Sequence, residues 1–257
     1  GKTLLIVGIA IVALIVVVVL VVVLVMRGKS TTDPSSQQSS SPSPTVTDNG
    51  VSALTAQEIL TRSEAAALAQ SSVHIVAEGT NTTGPITMDV ILTKSAGASG
   101  SMTSDGATFS FVERDSTIWM KGDAAFWTKA GAKPAAIAAI GTKWVKMPST
   151  NPAGSSAAAL GNYTDMVHSF YKTKGAVTKG ETADLNGQKT IVIIDPEDNG
   201  KLWVAATGEP LPLQTQRLAT TANPTTANGT FSQWGTATVA TAPADTETVD
   251  VATLPLT

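Results

Sequence analysis

Histidine, cysteine and paired acids are the side chains that most often carry chemistry. This 257-residue chain has two histidines and no cysteine. The absence of Cys removes thiol nucleophiles, thiolate zinc ligands and an acylated-cysteine anchor. His74 falls in a segment that reads as a strand. His168 lies on a predicted helix with Asp165 three residues before it, where the two share a face. A Ser-His-Asp relay also needs an exposed, activated serine, and no Gly-x-Ser-x-Gly elbow occurs. Two histidines so far apart, without Cys partners, make a poor zinc set. The run Asp195-Pro196-Glu197-Asp198-Asn199-Gly200 resembles the opening of a calcium loop. Pro196 and Glu197 break that pattern, and Ala206 stands where the bidentate acid belongs, so a hairpin turn is the better reading. Asn81-Thr82-Thr83, Asn162-Tyr163-Thr164 and Asn228-Gly229-Thr230 match the glycosylation acceptor pattern, a weak signal. The expectation is a protein that is not an enzyme and uses no cofactor or metal.

Charge excludes a further class. The net charge is −3, and the lysines are scattered rather than gathered into a stripe that could neutralise phosphates. Nucleic acid is not an expected partner.

Apolar residues carry more information. Trp119, Phe126, Trp127, Trp144, Trp203 and Trp234 fall at expected strand ends and turns. Alternation places Val90 and Leu92 on one strand face, with Phe109 and Phe111, and then Ile118 and Met120, on the faces of two others. Pro134 to Gly141 reads as a short helix with Pro at its first position and Gly just past its end. Ile137 and Ile140 sit on it among alanines, and such a helix must be buried all round or face something greasy. A following helix, capped by Asn162 and ending near Gly175, carries Val167 and Phe170. These ten residues are the candidate lining of an apolar cavity: Val90, Leu92, Phe109, Phe111, Ile118, Met120, Ile137, Ile140, Val167 and Phe170.

The elements that must position them are legible. Thr55-Ala56-Gln57-Glu58 is a capping box that opens a helix running to about Gln70. Strands are expected from Ile86 to Thr93, Thr108 to Arg114 and Thr117 to Lys121, separated by turns at Gly97 to Gly100, Asp105-Gly106 and Gly122-Asp123. After the helical inserts come Thr190 to Ile194, Lys201 to Thr207, Leu211 to Ala219 and Gly229 to Val239. Helix, strands, helices and strands in that order predict an α+β domain with helices against one face of an antiparallel sheet.

The N-terminus is of another kind. Leu4 to Met26 has no charged, polar or proline side chain. As a helix it would reach roughly 35 Å, enough for a hydrocarbon core of about 30 Å. It ends in Met26-Arg27-Gly28-Lys29 with no small-residue cleavage site, so an uncleaved anchor is expected rather than a signal peptide. Ser30 to Gly50 is rich in Ser, Thr and Pro and reads as a disordered tether. The expected division is residues 1–29 anchor, 30–50 linker and 51–257 extracytoplasmic domain, in a single-pass protein of the cell membrane.

Three runs carry a family likeness: Ile118-Trp-Met-Lys-Gly-Asp-Ala-Ala-Phe-Trp127, Lys143-Trp-Val-Lys-Met-Pro148 and Leu202-Trp-Val-Ala-Ala-Thr-Gly-Glu-Pro-Leu-Pro212. With the capped helix and the meander, they resemble the LppX/LprG-type lipoproteins of actinobacteria, a group related in fold to the LolA carriers. The resemblance spans about residues 53 to 254. It implies a curved antiparallel half-barrel with helices on its concave face over an apolar cavity. It also implies binding or transport of lipids or glycolipids in the cell envelope. Those relatives are tethered through an acylated cysteine, and here a transmembrane helix stands in its place. A fixed anchor fits a tethered acceptor, handover station or sensor better than a free shuttle. The rival expectation is a structural or sensory envelope module that binds protein or wall polymer and has no lipid cavity.

Overall fold

The computed structural model describes residues 48–151, 154, 158–159, 161–221 and 224–255. The expected span Leu4–Met26 and the linker up to residue 47 lie outside the described residues. No described helix is long and apolar enough to cross a membrane.

The first helix, α1, covers Ala56–Ala69. Its capping box forms as its sequence requires: the Thr55 hydroxyl accepts from the Glu58 N–H, and Glu58 Oε2 accepts from the Thr55 N–H at 2.8 Å. Five strands follow, β1 (Ser72–Asn81), β2 (Gly84–Thr93), β3 (Ala98–Ser104), β4 (Ala107–Arg114) and β5 (Thr117–Gly122). Then come α2 (Ala124–Lys129), α3 (Pro134–Ile140), β6 (Trp144–Pro148) and α4 (Tyr163–Tyr171). The chain returns through β7 (Thr178–Leu185), β8 (Gln188–Asp195), β9 (Gly200–Ala205), β10 (Pro212–Arg217), β11 (Thr226–Ser232) and β12 (Thr248–Asp250).

The twelve strands among the described residues join one open sheet in the order β12-β6-β5-β4-β3-β2-β1-β11-β10-β9-β8-β7. Pairing is antiparallel throughout except for β12 on β6, which is parallel. The register carries one face across the sheet. Ile75 sits between Val90 and Phe231, Val90 opposite Gly100, Gly100 opposite Phe111, and Phe111 opposite Met120. In the other direction Ala77 pairs with Gly229, Gly229 with Thr215, Thr215 with Leu202, and Leu202 with Ile193. This face holds most of the core, and α1, α2 and α4 bury their apolar sides in the same cluster.

Several expectations are corrected. Gly97 to Gly100 is not a turn throughout, because β3 begins at Ala98 and Gly100 lies within it. A Cβ on Gly100 would come within 2.3 Å of the Asp89 carbonyl oxygen, so glycine lets β2 and β3 approach there. The α3 helix is not buried all round: Ala136 and Ile140 are buried, Ile137 is half-buried, and Ala135, Ala138 and Ala139 are exposed. Alanine methyls are small enough to face water, so no greasy partner is required. α4 ends at Tyr171 rather than near Gly175, with Lys172 already extended. β11 ends at Ser232, well short of Val239.

Candidate functional site

Between the sheet and the C-terminal end of α4 lies a cleft of about 120 Å³, partly open to solvent. Its floor is apolar: Ile75 and Ala77 of β1, Met88 of β2, Phe231 of β11, Leu202 of β9 and Ile193 of β8. Leu60 of α1 and Phe170 of α4 form the cover. The hollow exists because the central strands carry small side chains on this face. Ala227, Gly229, Thr215 and Gly200 lie where bulky residues would otherwise fill the space. Phe170 closes part of it, its ring edge-on to Phe231 with centroids 4.7 Å apart.

The cover is pinned from behind. Ser63 and Tyr171 share a buried hydrogen bond of 2.8 Å between α1 and α4. The Tyr163 hydroxyl donates to the Ala67 carbonyl at 2.7 Å. Burial pushes Tyr163 up to about 12 and Tyr171 higher still, so both hydroxyls remain neutral at any physiological pH. His168 pairs through Nδ1 with Glu64 of α1 at 2.7 Å. Its partner is therefore across the helix pair, not Asp165 on its own helix.

The mouth of the cleft is charged. Asp195, Asp198, Lys172 and Arg217 lie around it, with Asn228 and Gln216. Asp195 Oδ2 accepts from the Lys174 backbone N–H at 2.8 Å, and Oδ1 accepts from the N–H groups of Glu197 at 3.1 Å and Asp198 at 3.3 Å. This aspartate shapes the β8–β9 turn, in which Asn199 takes the left-handed conformation expected of a hairpin. The acids read as a turn do form one, and no group of three or more possible metal ligands occurs among the described residues. Desolvation pushes the Asp198 carboxyl up to about 6, although Arg217 and Lys174 pull it the other way.

The ten expected lining residues divide. Phe170 lies on the cleft. Val90, Leu92, Phe109, Phe111, Ile118 and Met120 share the inner face as their alternation predicts, but all are buried in the wing formed by β2 to β6. Phe126 of α2 stacks on Phe109 with centroids 4.8 Å apart, and Trp127 meets Phe126 edge-on at 4.9 Å. Ile140 and Val167 are buried in the same core, with Ile137 packed at its margin. Sequence reasoning missed Ile75, Met88, Leu202 and Phe231, which come from strands distant in sequence. The signal available was the small-residue pattern Ala227, Gly229 and Gly200.

A Ser-His-Asp contact does form, on the opposite face of the sheet. His74 Nε2 lies 2.8 Å from Asp89 Oδ1, and Ser232 Oγ lies 3.4 Å from His74 Nδ1. The Asp89 side chain is 62% exposed. A water-solvated carboxylate on an open sheet face is not the buried, pre-oriented acid that a catalytic relay uses.

No protein-family model matches the chain, and no curated protein matches it in sequence. Among solved structures it is similar to LprF from Mycobacterium bovis, at 16% identity over 74% of this chain and 97% of that one, TM-score 0.47. It is also similar to the lipoprotein LppX from Mycobacterium tuberculosis, at 16% identity over 70% and 94%, TM-score 0.42. A LolA superfamily protein from Nitrosomonas europaea shares 7% identity over 72% and 94%, TM-score 0.23.

Proposed function

We propose that this chain is a non-enzymatic, membrane-anchored binding protein of the cell envelope that takes up an acyl chain of a lipid or glycolipid. The domain would stand outside the cytoplasm on the tether of residues 30–50, its sheet acting as a half-barrel around the ligand. The observation that carries this reading is the apolar cleft over Ile75, Met88, Phe231 and Leu202, open on one side and charged only at its mouth. Each buried methylene contributes about 0.8 kcal/mol, so a short stretch of alkyl chain already gives useful affinity without a polar contact.

At about 120 Å³ the cleft is smaller than a typical ligand pocket of roughly 300–1,000 Å³. A long chain therefore seats only when Phe170 swings off Phe231. Phe170 is half-buried in the last turn of α4, which makes it the cheapest part of the cover to move. Native mass spectrometry of the purified whole chain is expected to show co-purifying or exchangeable lipid. Phe170→Ala is expected to raise the loaded fraction. A chain that never carries lipid, in either form, would overturn the reading. The rival, a structural or sensory module, is favoured by the close packing of the β2–β6 wing and would give that empty result.

A further inference from the structure

We propose that the outer face of the sheet, opposite the cleft, is a binding site for an extended neutral glycan. The register lines up one row of side chains on that face from strand to strand. Gln214 of β10 stands beside Thr230 of β11, Thr230 beside Val76 of β1, and Val76 beside Asp89 of β2. The row goes on through Ser101 of β3, Ser110 of β4 and Lys121 of β5. Trp144 of β6 ends it, with Lys121 Nζ 5.9 Å from the ring centre. A second row runs alongside through Thr108, Thr103, Thr87, Glu78, Asn228 and Gln216. Eight neighbouring strands at a spacing of about 4.8 Å make the first row roughly 34 Å long, the reach of several linked sugars.

Two hollows lie on this row. One, of about 310 Å³, is lined by Val76, Glu78, Thr87, Asp89, Gln214 and Thr230. The other, of about 630 Å³, is walled by residues 240–244 over Asp89, Ser101, Ser110 and Trp144. Asp89 and Ser101 line both, so the two are continuous. The wall is tied to the sheet: the Ala240 N–H donates to Ser99 Oγ at 3.0 Å, and Arg114 Nη1 donates to the Ala240 carbonyl at 3.3 Å. Unlike the cleft, both hollows reach the size of an ordinary ligand site, roughly 300–1,000 Å³.

The chemistry of the row selects its occupant. Hydroxyls, amides and a carboxylate stand in line as donors and acceptors, and among the described residues the hydroxyls of Ser101 and Ser110 make no hydrogen bond to protein. Trp144 is half-buried, which leaves part of its indole for the C–H groups of a pyranose; their partial positive charge suits the ring face as the Lys121 ammonium does. Asp89 and Glu78, with Glu247 beside the wall, repel a polymer of phosphates or uronates. Lys121 and Lys146 sit at one end, each over a tryptophan ring, and His74 is paired with Asp89. Val76 is the one exposed large apolar side chain in either row, too little for a lipid surface. A peptide strand finds no open ladder here, because every strand under the row is paired on both sides.

The test uses the whole chain in phosphatidylcholine nanodiscs, titrated calorimetrically with chitohexaose, cellohexaose and hexagalacturonate, with empty discs as the blank. At least one of the two neutral hexamers is expected to bind, and hexagalacturonate at least tenfold more weakly. Trp144→Ala is expected to weaken the neutral hexamer about tenfold, the value of one aromatic stacking contact. Ser101→Val with Ser110→Val is expected to weaken it about threefold, and valine suits both strands, so this double variant decides if Trp144→Ala fails to fold. Binding of neither neutral hexamer would overturn the glycan site. So would equal binding of hexagalacturonate, or a neutral hexamer whose affinity ignores the substitutions on the row. The cleft lies on the other face, so its reading stands or falls separately.

Discussion

On the wing made by β3, β4 and β5, the inner face carries Met102, Phe109, Phe111 and Met120, and Phe126 stacks down on Phe109 from α2. On the wing made by β9, β10 and β11, the same face carries Gly200, Leu202, Thr215, Ala227 and Gly229. Both wings belong to one hydrogen-bonded sheet, the second with a register shift between Pro212 and Gln214 on β10. The pairs that join Leu202, Thr215 and Gly229 lie clear of that shift, so backbone pairing alone does not make one wing solid and the other hollow. Side-chain volume decides it. Aromatic rings consume the space above the first wing, while glycine, alanine and threonine leave it open above the second. The open wing also ends in charge, at Arg217 and Asp198, whereas the solid wing ends in the cap of α2. A chain that keeps one wing rigid can leave the other underfilled without losing its fold.

The sharpest way to break this contrast is to hollow out the solid wing. Phe126 is fully buried and touches both Phe109 and Trp127. Phe126→Ala is expected to cost about 3–5 kcal/mol in urea unfolding, because α2 cannot collapse into the gap. A cost below about 1 kcal/mol would show that this wing is loosely packed too. The converse experiment fills the hollow. Ala77 is half-buried on the floor of the cleft, and Ala77→Phe is expected to weaken alkyl-chain binding about tenfold, measured by calorimetry. Stability is expected to change by less than about 1 kcal/mol, since the ring enters existing space. Unchanged binding would separate the cleft from the ligand.

How far the sequence reveals each wing follows from the same physics. β2, β4 and β5 alternate large apolar and polar residues, so their existence and their inward faces are readable from residue order alone. The solid wing is legible because it is built from large side chains. β3, with its sequence Ala-Ser-Gly-Ser-Met-Thr-Ser, offers little beyond Met102 to show a face and reads as a turn. β7 is an edge strand of mostly polar residues that buries little, and it leaves no periodic trace. A cavity is harder still. It is an absence of volume at a place where residues 75, 88, 202 and 231 converge, and no local pattern encodes that convergence. Choosing the largest apolar residues as lining picks out what fills space, not what surrounds it. Phe170 is the exception because it covers the opening from a helix end.

A smaller effect distinguishes how the two wings are tied off. Asp123 caps α2 by accepting from the Phe126 N–H at 2.7 Å, and its other oxygen accepts from the Thr108 N–H of β4 at 2.9 Å. One side chain thus fixes both the helix start and its seat on the sheet. Asp123→Ala is expected to cost about 1–2 kcal/mol by thermal or urea unfolding, in line with the loss of a cap. Asn is expected to recover most of that loss, since its amide oxygen can accept the helix N–H. Failure of Asn to do better than Ala would mean that the contact to β4, which needs the second carboxylate oxygen, is the one that matters.

The open wing is tied off by Asp198, and there the sign of the effect runs against the usual acid behaviour. Its carboxyl is raised from 3.8 in the unfolded chain to about 6 in the folded one, chiefly by desolvation. Between those values the folded state holds a proton that the unfolded state has released. Stability from this group is therefore complete below about pH 3.8 and is lost as pH rises through about 6, then stays flat. The loss is expected to be on the order of 1 kcal/mol after allowing for solvent at this partly open mouth. Chemical unfolding of wild type at pH 4.5 and 7.5, compared with Asp198→Asn at the same two values, isolates it: the difference between the two proteins is expected to shift in favour of the variant at the higher pH. A paired carboxylate stabilised mainly by Arg217 and Lys174 would give the opposite shift, with wild type gaining on the variant as pH rises. That outcome would mean that the neighbouring cations, and not burial, set the charge state of Asp198 at this mouth.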